Sequence, residues 1–350
     1  MSPLPVAYAG RMVRSLARRR PVPVFASIYP TFRCNLRCVY CNFPGMMPPE
    51  SELTTDEWKG VIDALAAHGC RRVSILGGEP LLREDLAEII GHVRRRGLSC
   101  ALTSNGLLVP ERIGELRGLS TLVLSLDAAG PANDEVRGRG SFEAVKKSIE
   151  AARRSGIPVK INSVLSGRTA PELDGLLEFV DRNDLSVTLN VMRSGTPALW
   201  RDAASVKESD GDIRRLLLRL AELAKRNPRI LFSEATYRFA ARWDDYSRDR
   251  YEKSDFATNA PLLRSAPRCR AGRCYLTILS DGSVTPCMNT IGQIKGGNVV
   301  ADGFAAAWRS LRDHDCLRCY APCLVELDHL FSLRPRVVLN FVLRHLRRYR

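Results

Sequence analysis

Between residues 24 and 226, short β-rich runs alternate with amphipathic helical stretches, and this alternation constrains the fold more than any other feature of the chain. Runs rich in β-branched residues fall at 24–30, 72–76, 99–103, 121–126, 158–165 and 186–191. Helical patterns fall between and after them, at 55–68, 84–96, 110–117, 142–155, 171–182 and 210–226. Strands joined through helices run parallel, so repeated βα units build a parallel sheet. Six units are fewer than the eight that close a barrel, which makes the expected fold α/β, an open partial (β/α)6 barrel over 24–228. Thr54 or Thr55, with Asp56 and Glu57, gives the first helix a capped, acidic start.

After residue 228 the pattern changes. Residues 229–267 mix aromatic and charged side chains (Tyr237, Trp243, Tyr246, Tyr251) without a period, and read as a linker or elaborated loop. A cysteine-rich stretch, 268–332, follows and contains a hairpin signal: 275–279 and 283–285 around Ser280-Asp281-Gly282. No apolar run approaches the roughly 20 residues of a membrane-spanning helix. The composition, 45% hydrophobic and 26% charged, excludes a largely disordered chain.

The net charge of +15 is concentrated at the ends. Residues 1–49 carry seven Arg and no acid, and residues 333–350 carry six Arg and no acid, against 40 basic and 38 acidic residues in between. That distribution does not fit a nucleic-acid groove across the fold. Both ends have amphipathic helix patterns: in 1–23, Arg11, Arg14 and Arg18 oppose Met12, Val13 and Leu16; in 333–350, Arg336, Arg344 and Arg348 oppose Val338, Phe341, Val342 and Leu346. Such helices either pack on the barrel with solvated arginines or rest on anionic lipid. The expectation is a cytoplasmic chain whose ends can make a peripheral contact with the inner membrane face.

Eleven cysteines are many for a reducing compartment, and their clustering argues for metal. Cys34, Cys38 and Cys41 have the spacing C-x3-C-x2-C immediately after the first β run. Three thiolates on one short loop can hold three irons of a 4Fe–4S cluster and leave the fourth iron for another molecule, whereas structural zinc wants four closed ligands. Cys269, Cys274, Cys287, Cys316, Cys319 and Cys323 form the second group, in which a zinc site is the alternative to iron and sulfide. Cys70 and Cys100 stand alone and read as packing.

Further short motifs follow the first cysteine group in order: Gly77-Gly78-Glu79-Pro80 after the second β run, Ser104-Asn105 after the third, Ser125 and Asp127 after the fourth, then Arg137-Gly138. Together these resemble the radical SAM superfamily over about residues 24–192. The resemblance implies a 4Fe–4S cluster on Cys34, Cys38 and Cys41, with S-adenosylmethionine (SAM) on its open iron. Tyr40, Gly77, Gly78, Glu79, Pro80, Ser104, Asn105, Ser125, Asp127, Arg137, Asn162 and Val191 are the implied cofactor contacts. Among these, Glu79 is assigned to the SAM ammonium, Ser125 and Arg137 to its carboxylate, and Asn162 and Val191 to its nucleoside. The glycines are expected to let the backbone approach the ligand. The implied activity is reductive cleavage of SAM to a 5′-deoxyadenosyl radical that abstracts hydrogen from a C–H bond, with an electron donor such as flavodoxin or ferredoxin.

The second cysteine group resembles the SPASM/twitch extension of such enzymes, which holds auxiliary iron–sulfur clusters. The full SPASM pattern needs a cysteine after 323, which is lacking, so one auxiliary 4Fe–4S cluster is expected. Its favoured ligands are Cys269, Cys287, Cys316 and Cys319, with Cys274 and Cys323 as alternates. His314 and His329 read as ordinary surface histidines. About 23 residues precede the first β run, too few for a built-in leader-peptide domain. That tilts the expected substrate toward a small molecule or a lipid-linked intermediate over a ribosomal peptide presented by a separate partner. The catalytic acid or base stays unknown; Glu234, Asp244 and Asp281 are candidates by position alone.

Overall fold

The computed structural model describes residues 21–44, 52–193, 206, 208–258, 260–265 and 267–347; the basic segment at 1–23 lies almost wholly outside them. Its strands are β1 (Phe25–Ile28), β2 (Arg72–Ile75), β3 (Ser99–Ser104), β4 (Thr121–Ser125), β5 (Val159–Leu165), β6 (Val187–Val191), β7 (Arg250–Glu252), β8 (Tyr275–Ile278), β9 (Val284–Thr285) and β10 (Cys316–Cys319). Strands β1 to β6 pair in parallel, each with the next. The cysteine-rich stretch continues this sheet: β8 pairs in parallel with the free side of β1, and β9 folds back antiparallel on β8. The order across the sheet is therefore β6-β5-β4-β3-β2-β1-β8-β9.

All five residues of β4 are buried, as expected of a parallel strand covered on both faces. The helix Thr55–Ala67 buries Trp58, Val61, Ile62 and Leu65, one stripe at helical spacing. Its start is a capping box: Glu57 N donates to Thr54 Oγ1 at 3.3 Å, and Thr54 N donates to Glu57 Oε2 at 2.8 Å. Helices Leu86–Arg95, Ser141–Arg154, Leu173–Arg182 and Asp210–Arg226 follow β2, β4, β5 and β6. After β3, the single helix expected at 110–117 is two short turns, Val109–Arg112 and Ile113–Leu116, with the poor helix former Gly114 where they meet.

Residues 229–267 are more structured than a linker. They contain the helix Glu234–Ala240 and β7, which pairs antiparallel with β10. Their aperiodic aromatics join the main hydrophobic core: Trp243 packs on Tyr251 (ring centroids 4.5 Å) and on Tyr320 (5.4 Å), and Tyr246 meets Tyr320 edge-on. The closing helix, Pro335–Arg347, buries Val337 and leaves Leu339 59% exposed. Among the described residues no helix is long and apolar enough to cross a membrane.

Candidate active site

The loop leaving β1 carries Cys34, Cys38 and Cys41 and is pinned from three sides. Val39 N donates to Val136 O at 2.9 Å, Asn105 Nδ2 donates to Asn35 Oδ1 at 2.7 Å, and the turn after β2 docks beneath it. In that turn Gly78 N donates to Thr31 O at 3.0 Å and Glu79 N to Arg33 O at 2.8 Å. A Cβ on Gly77 would stand 2.3 Å from Thr31 O, and one on Gly78 would stand 2.1 Å from Arg33 O. The glycines are therefore required by the backbone of the cysteine loop pressing on them, a reason different from the ligand approach expected from sequence.

Glu79 is fully buried and caps the 3₁₀ turn Pro80–Leu82. Leu81 N donates to its Oε1 (3.1 Å), Asn105 N to its Oε2 (2.8 Å), and Ser104 Oγ lies 3.0 Å from Oε1 and 3.1 Å from Oε2. These donors favour the carboxylate, yet burial outweighs them and pushes its pKa up to about 7.

Asp127, just past β4, is fully buried and joins the cysteine loop to Arg137. Its Oδ2 accepts from Tyr40 Oη at 2.6 Å and from Arg137 Nε at 2.8 Å, and its Oδ1 accepts from Val164 N at 2.8 Å. With these bonds Asp127 orients Tyr40 and Arg137. Ser125 lies buried at the end of β4. Asn162 on β5 accepts from Thr188 Oγ1 (2.9 Å) and Asn190 Nδ2 (3.1 Å), while Val191 ends β6 in a buried position.

In the second cysteine group, Cys269, Cys287, Cys316 and Cys319 line one cavity with Asp249, Tyr275, Asn289 and Leu324. Cys274 and Cys323 do not line that cavity but pack in the same buried cluster as Cys269, Cys287 and Cys319, with Arg270 and Asp328 also acting on Cys274 and Arg193 on Cys323. Tyr29, just past β1, is fully buried and within electrostatic reach of cysteines from both groups, Cys41 of the first and Cys287 and Cys323 of the second. Its hydroxyl has no hydrogen-bond partner among the described residues. Asp249, Arg193, Asn289 and Tyr29 were missed from sequence, since no local motif marks them.

The positional candidates for acid–base work have local partners. Glu234 pairs with Arg238, Asp244 accepts from Tyr251 Oη, and Asp281 accepts from Ser283 N at 2.9 Å within the hairpin turn. His329 is buried rather than on the surface, and burial lowers its pKa to about 4. Cys70 and Cys100 sit in the hydrophobic core.

Burial raises the thiol pKa of Cys34 and Cys38 and pushes that of Cys41 up to about 12. Burial holds Cys70 and Cys100 as high, at about 12, so the shift does not mark a ligand; the donor set does, since three thiols on one short loop fit an iron–sulfur cluster with one open iron. Among the described residues no three Cys, His, Asp or Glu side chains gather tightly enough for a single ion. Four cysteines around one cavity have the donor chemistry for a 4Fe–4S cluster and equally for a four-thiolate zinc ion.

The Radical SAM superfamily matches residues 28–180, and SPASM, an iron–sulfur cluster-binding domain, matches residues 269–324. Over most of its length the chain is similar to the AdoMet-dependent heme synthase of Methanosarcina barkeri (strain Fusaro), at 30% identity over 301 residues, 82% of this chain and 84% of the synthase. The chain belongs to the radical SAM superfamily. As a radical SAM enzyme with a SPASM region it binds a 4Fe–4S cluster and SAM in the barrel, and auxiliary iron–sulfur in the SPASM region. It is also similar to the mycofactocin maturase of Mycolicibacterium smegmatis, at 26% identity over 89% of this chain and 78% of the maturase. A "Probable GTP 3′,8-cyclase" of Methanopyrus kandleri is 42% identical over 154 residues, and the chain spans about half of that relative's length. Among solved structures, Streptococcus suis SuiB shares the fold with a TM-score of 0.61 at 19% identity, over 85% of this chain and 69% of SuiB.

Proposed function

We propose that this radical SAM enzyme abstracts hydrogen from a C–H bond of a small-molecule biosynthetic intermediate bound at the barrel mouth, between the SAM site and the auxiliary cysteines. The observation that carries the reading is the gathering of the cysteine loop, Glu79 and the Asp127–Arg137 pair at the C-terminal ends of the strands, where barrel enzymes do their chemistry. When bound, the cluster and SAM supply an electron and a 5′-deoxyadenosyl radical strong enough to take hydrogen from unactivated carbon.

The chain's own residues bind and orient. Cys34, Cys38 and Cys41 hold three irons and leave the fourth to SAM. Glu79 receives the SAM ammonium, and Arg137, held by Asp127, receives the carboxylate together with Ser125. Asn162 and the backbone at Val191 face the nucleoside. Cys269, Cys287, Cys316 and Cys319 hold one auxiliary 4Fe–4S cluster. A carrier such as flavodoxin or ferredoxin delivers the electron.

The small-molecule reading is supported by the heme synthase, the relative at 30% identity that matches most of both chains. A peptide substrate is the second reading, favoured by the match to the mycofactocin maturase. Lipid linkage of the substrate depends on the basic ends, of which residues 1–20 and 348–350 lie outside the described residues. The test is anaerobic incubation of the reconstituted enzyme with SAM, dithionite and either a carbon-deuterated, carboxylated iron porphyrin or a carbon-deuterated precursor peptide. Deuterium in 5′-deoxyadenosine from the porphyrin supports the small-molecule reading; transfer from the peptide alone overturns it.

A further inference from the structure

The auxiliary cavity has a charged neighbour that no cysteine pattern signals. Asp249 lines it and faces Arg193 at 3.3 Å, with each side chain only 6% exposed. Arg193 follows β6, at one edge of the eight-stranded sheet, whereas Asn289 follows β9, at the other edge. Arg193 Nη2 nevertheless donates to Asn289 Oδ1 at 2.7 Å, so the sheet curls until the segments beyond its two edges meet beside the auxiliary site. Asn289 Nδ2 lies 4.0 Å from Cys319 Sγ, and the charge of Arg193 acts on the Cys287, Cys319 and Cys323 thiols.

Taking two charges out of water is costly unless the remaining polar atoms find partners. Here, apart from their mutual ion pair at 3.3 Å, Arg193 Nη1 and both Asp249 oxygens lack hydrogen-bond partners among the described residues. A pair retained in that condition beside a group of cysteines points to electrostatic work on what the cysteines hold.

We propose that Arg193 and Asp249 together set the reduction potential of the auxiliary cluster, Arg193 raising it and Asp249 limiting the rise. This rests on the reading that Cys269, Cys287, Cys316 and Cys319 hold an iron–sulfur cluster. Nearby charge and hydrogen bonds to sulfur are the protein's levers on such potentials. Reduction adds negative charge, so a buried cation favours the reduced state and a buried carboxylate opposes it. The Asn289 amide, aimed at Cys319, works in the same direction as Arg193. A raised potential makes the auxiliary cluster a better acceptor for an electron released inside the site.

The experiment is an EPR-monitored redox titration of the full chain carrying Cys34→Ala, Cys38→Ala and Cys41→Ala, so that only auxiliary iron is read. Adding Arg193→Gln should lower the midpoint potential by about 59 mV or more, a tenfold change in a one-electron equilibrium. Arg193→Lys, which keeps the charge, should restore most of it, and Asp249→Asn should move the potential upward. Potentials that stay at the parent value, with iron and sulfide intact, overturn the proposal. If Arg193→Gln fails to hold its cluster, Asp249→Asn decides: a rise supports the proposal and no rise overturns it. A parent chain without iron and sulfide refutes the ligand reading beneath the proposal instead.

Discussion

Asp127→Asn removes the charge from a fully buried carboxylate that serves three donors: Tyr40 Oη at 2.6 Å, Arg137 Nε at 2.8 Å and Val164 N at 2.8 Å. The amide is isosteric, so packing survives. It keeps one acceptor, loses the other, and leaves the Arg137 guanidinium, 9% exposed, without its counter-charge. Breaking a buried pair by removing one partner costs about 3–5 kcal/mol, and the surviving acceptor places this case near 3 kcal/mol. At about 2–4 °C per kcal/mol for a unit of ~200 residues, the metal-free variant should melt about 6–12 °C lower. Arg137→Gln strands Asp127 and should cost a similar amount. The double variant should then fall short of the sum of the two by about 1–3 kcal/mol. Thermal unfolding followed by circular dichroism reads these terms. Calorimetry on the reconstituted enzyme should show SAM binding weakened about tenfold, ~1.4 kcal/mol, as Arg137 loses its orientation. Additive single effects, or an Asp127→Asn chain that melts and binds like its parent, would refute the role given to this carboxylate.

Three further outcomes follow from the same geometry. Gly78→Ala puts a Cβ 2.1 Å from the Arg33 carbonyl, so it should lose most barrel-cluster iron while far-UV circular dichroism stays near the parent's; normal iron loading would contradict this. Cys287→Ser should abolish auxiliary iron, whereas Cys274→Ser and Cys323→Ser should keep it, as read by iron and sulfide analysis in a chain without the first three cysteines; equal loss in all three would reject the ligand set. Glu79, raised by burial from 4.5 to about 7, favours its protonated form in the folded chain, so stability without SAM should fall as pH rises from about 4.5 to 7 and then level. SAM affinity should rise toward pH 7, because the ammonium needs the carboxylate. Glu79→Gln should flatten that profile, and a flat wild-type profile between about pH 6 and 8 would count against the assignment.

What could be read from sequence was what lies contiguously along the chain. The βα alternation is legible because each parallel strand is a short apolar run and each helix repeats its buried face every three to four residues, as Trp58, Val61, Ile62 and Leu65 do. The cysteine loop and Gly77-Gly78-Glu79-Pro80 are legible because each site is one turn long. Residues 229–267 were not, because their order comes from aromatic packing against Tyr320, about 75 residues beyond Tyr246. The Arg193–Asp249–Asn289 group has no local signature either. It is assembled from segments beyond both edges of the sheet, and only the sheet's curl brings them together. The requirement for Gly77 and Gly78 was visible, but its cause was not: the clashing atoms belong to Thr31 and Arg33, more than forty residues upstream.

The central claim is that Cys34, Cys38 and Cys41 turn this barrel into a SAM-cleaving site. The most direct test is anaerobic reconstitution with iron and sulfide, addition of dithionite and SAM, and quantification of 5′-deoxyadenosine and methionine by mass spectrometry. The wild-type chain should form the two in equal amounts, and the variant with all three cysteines replaced by Ala should form neither while keeping its auxiliary iron. A fully iron-loaded wild-type chain that yields no 5′-deoxyadenosine, or a triple variant that yields as much as the wild type, would contradict the claim.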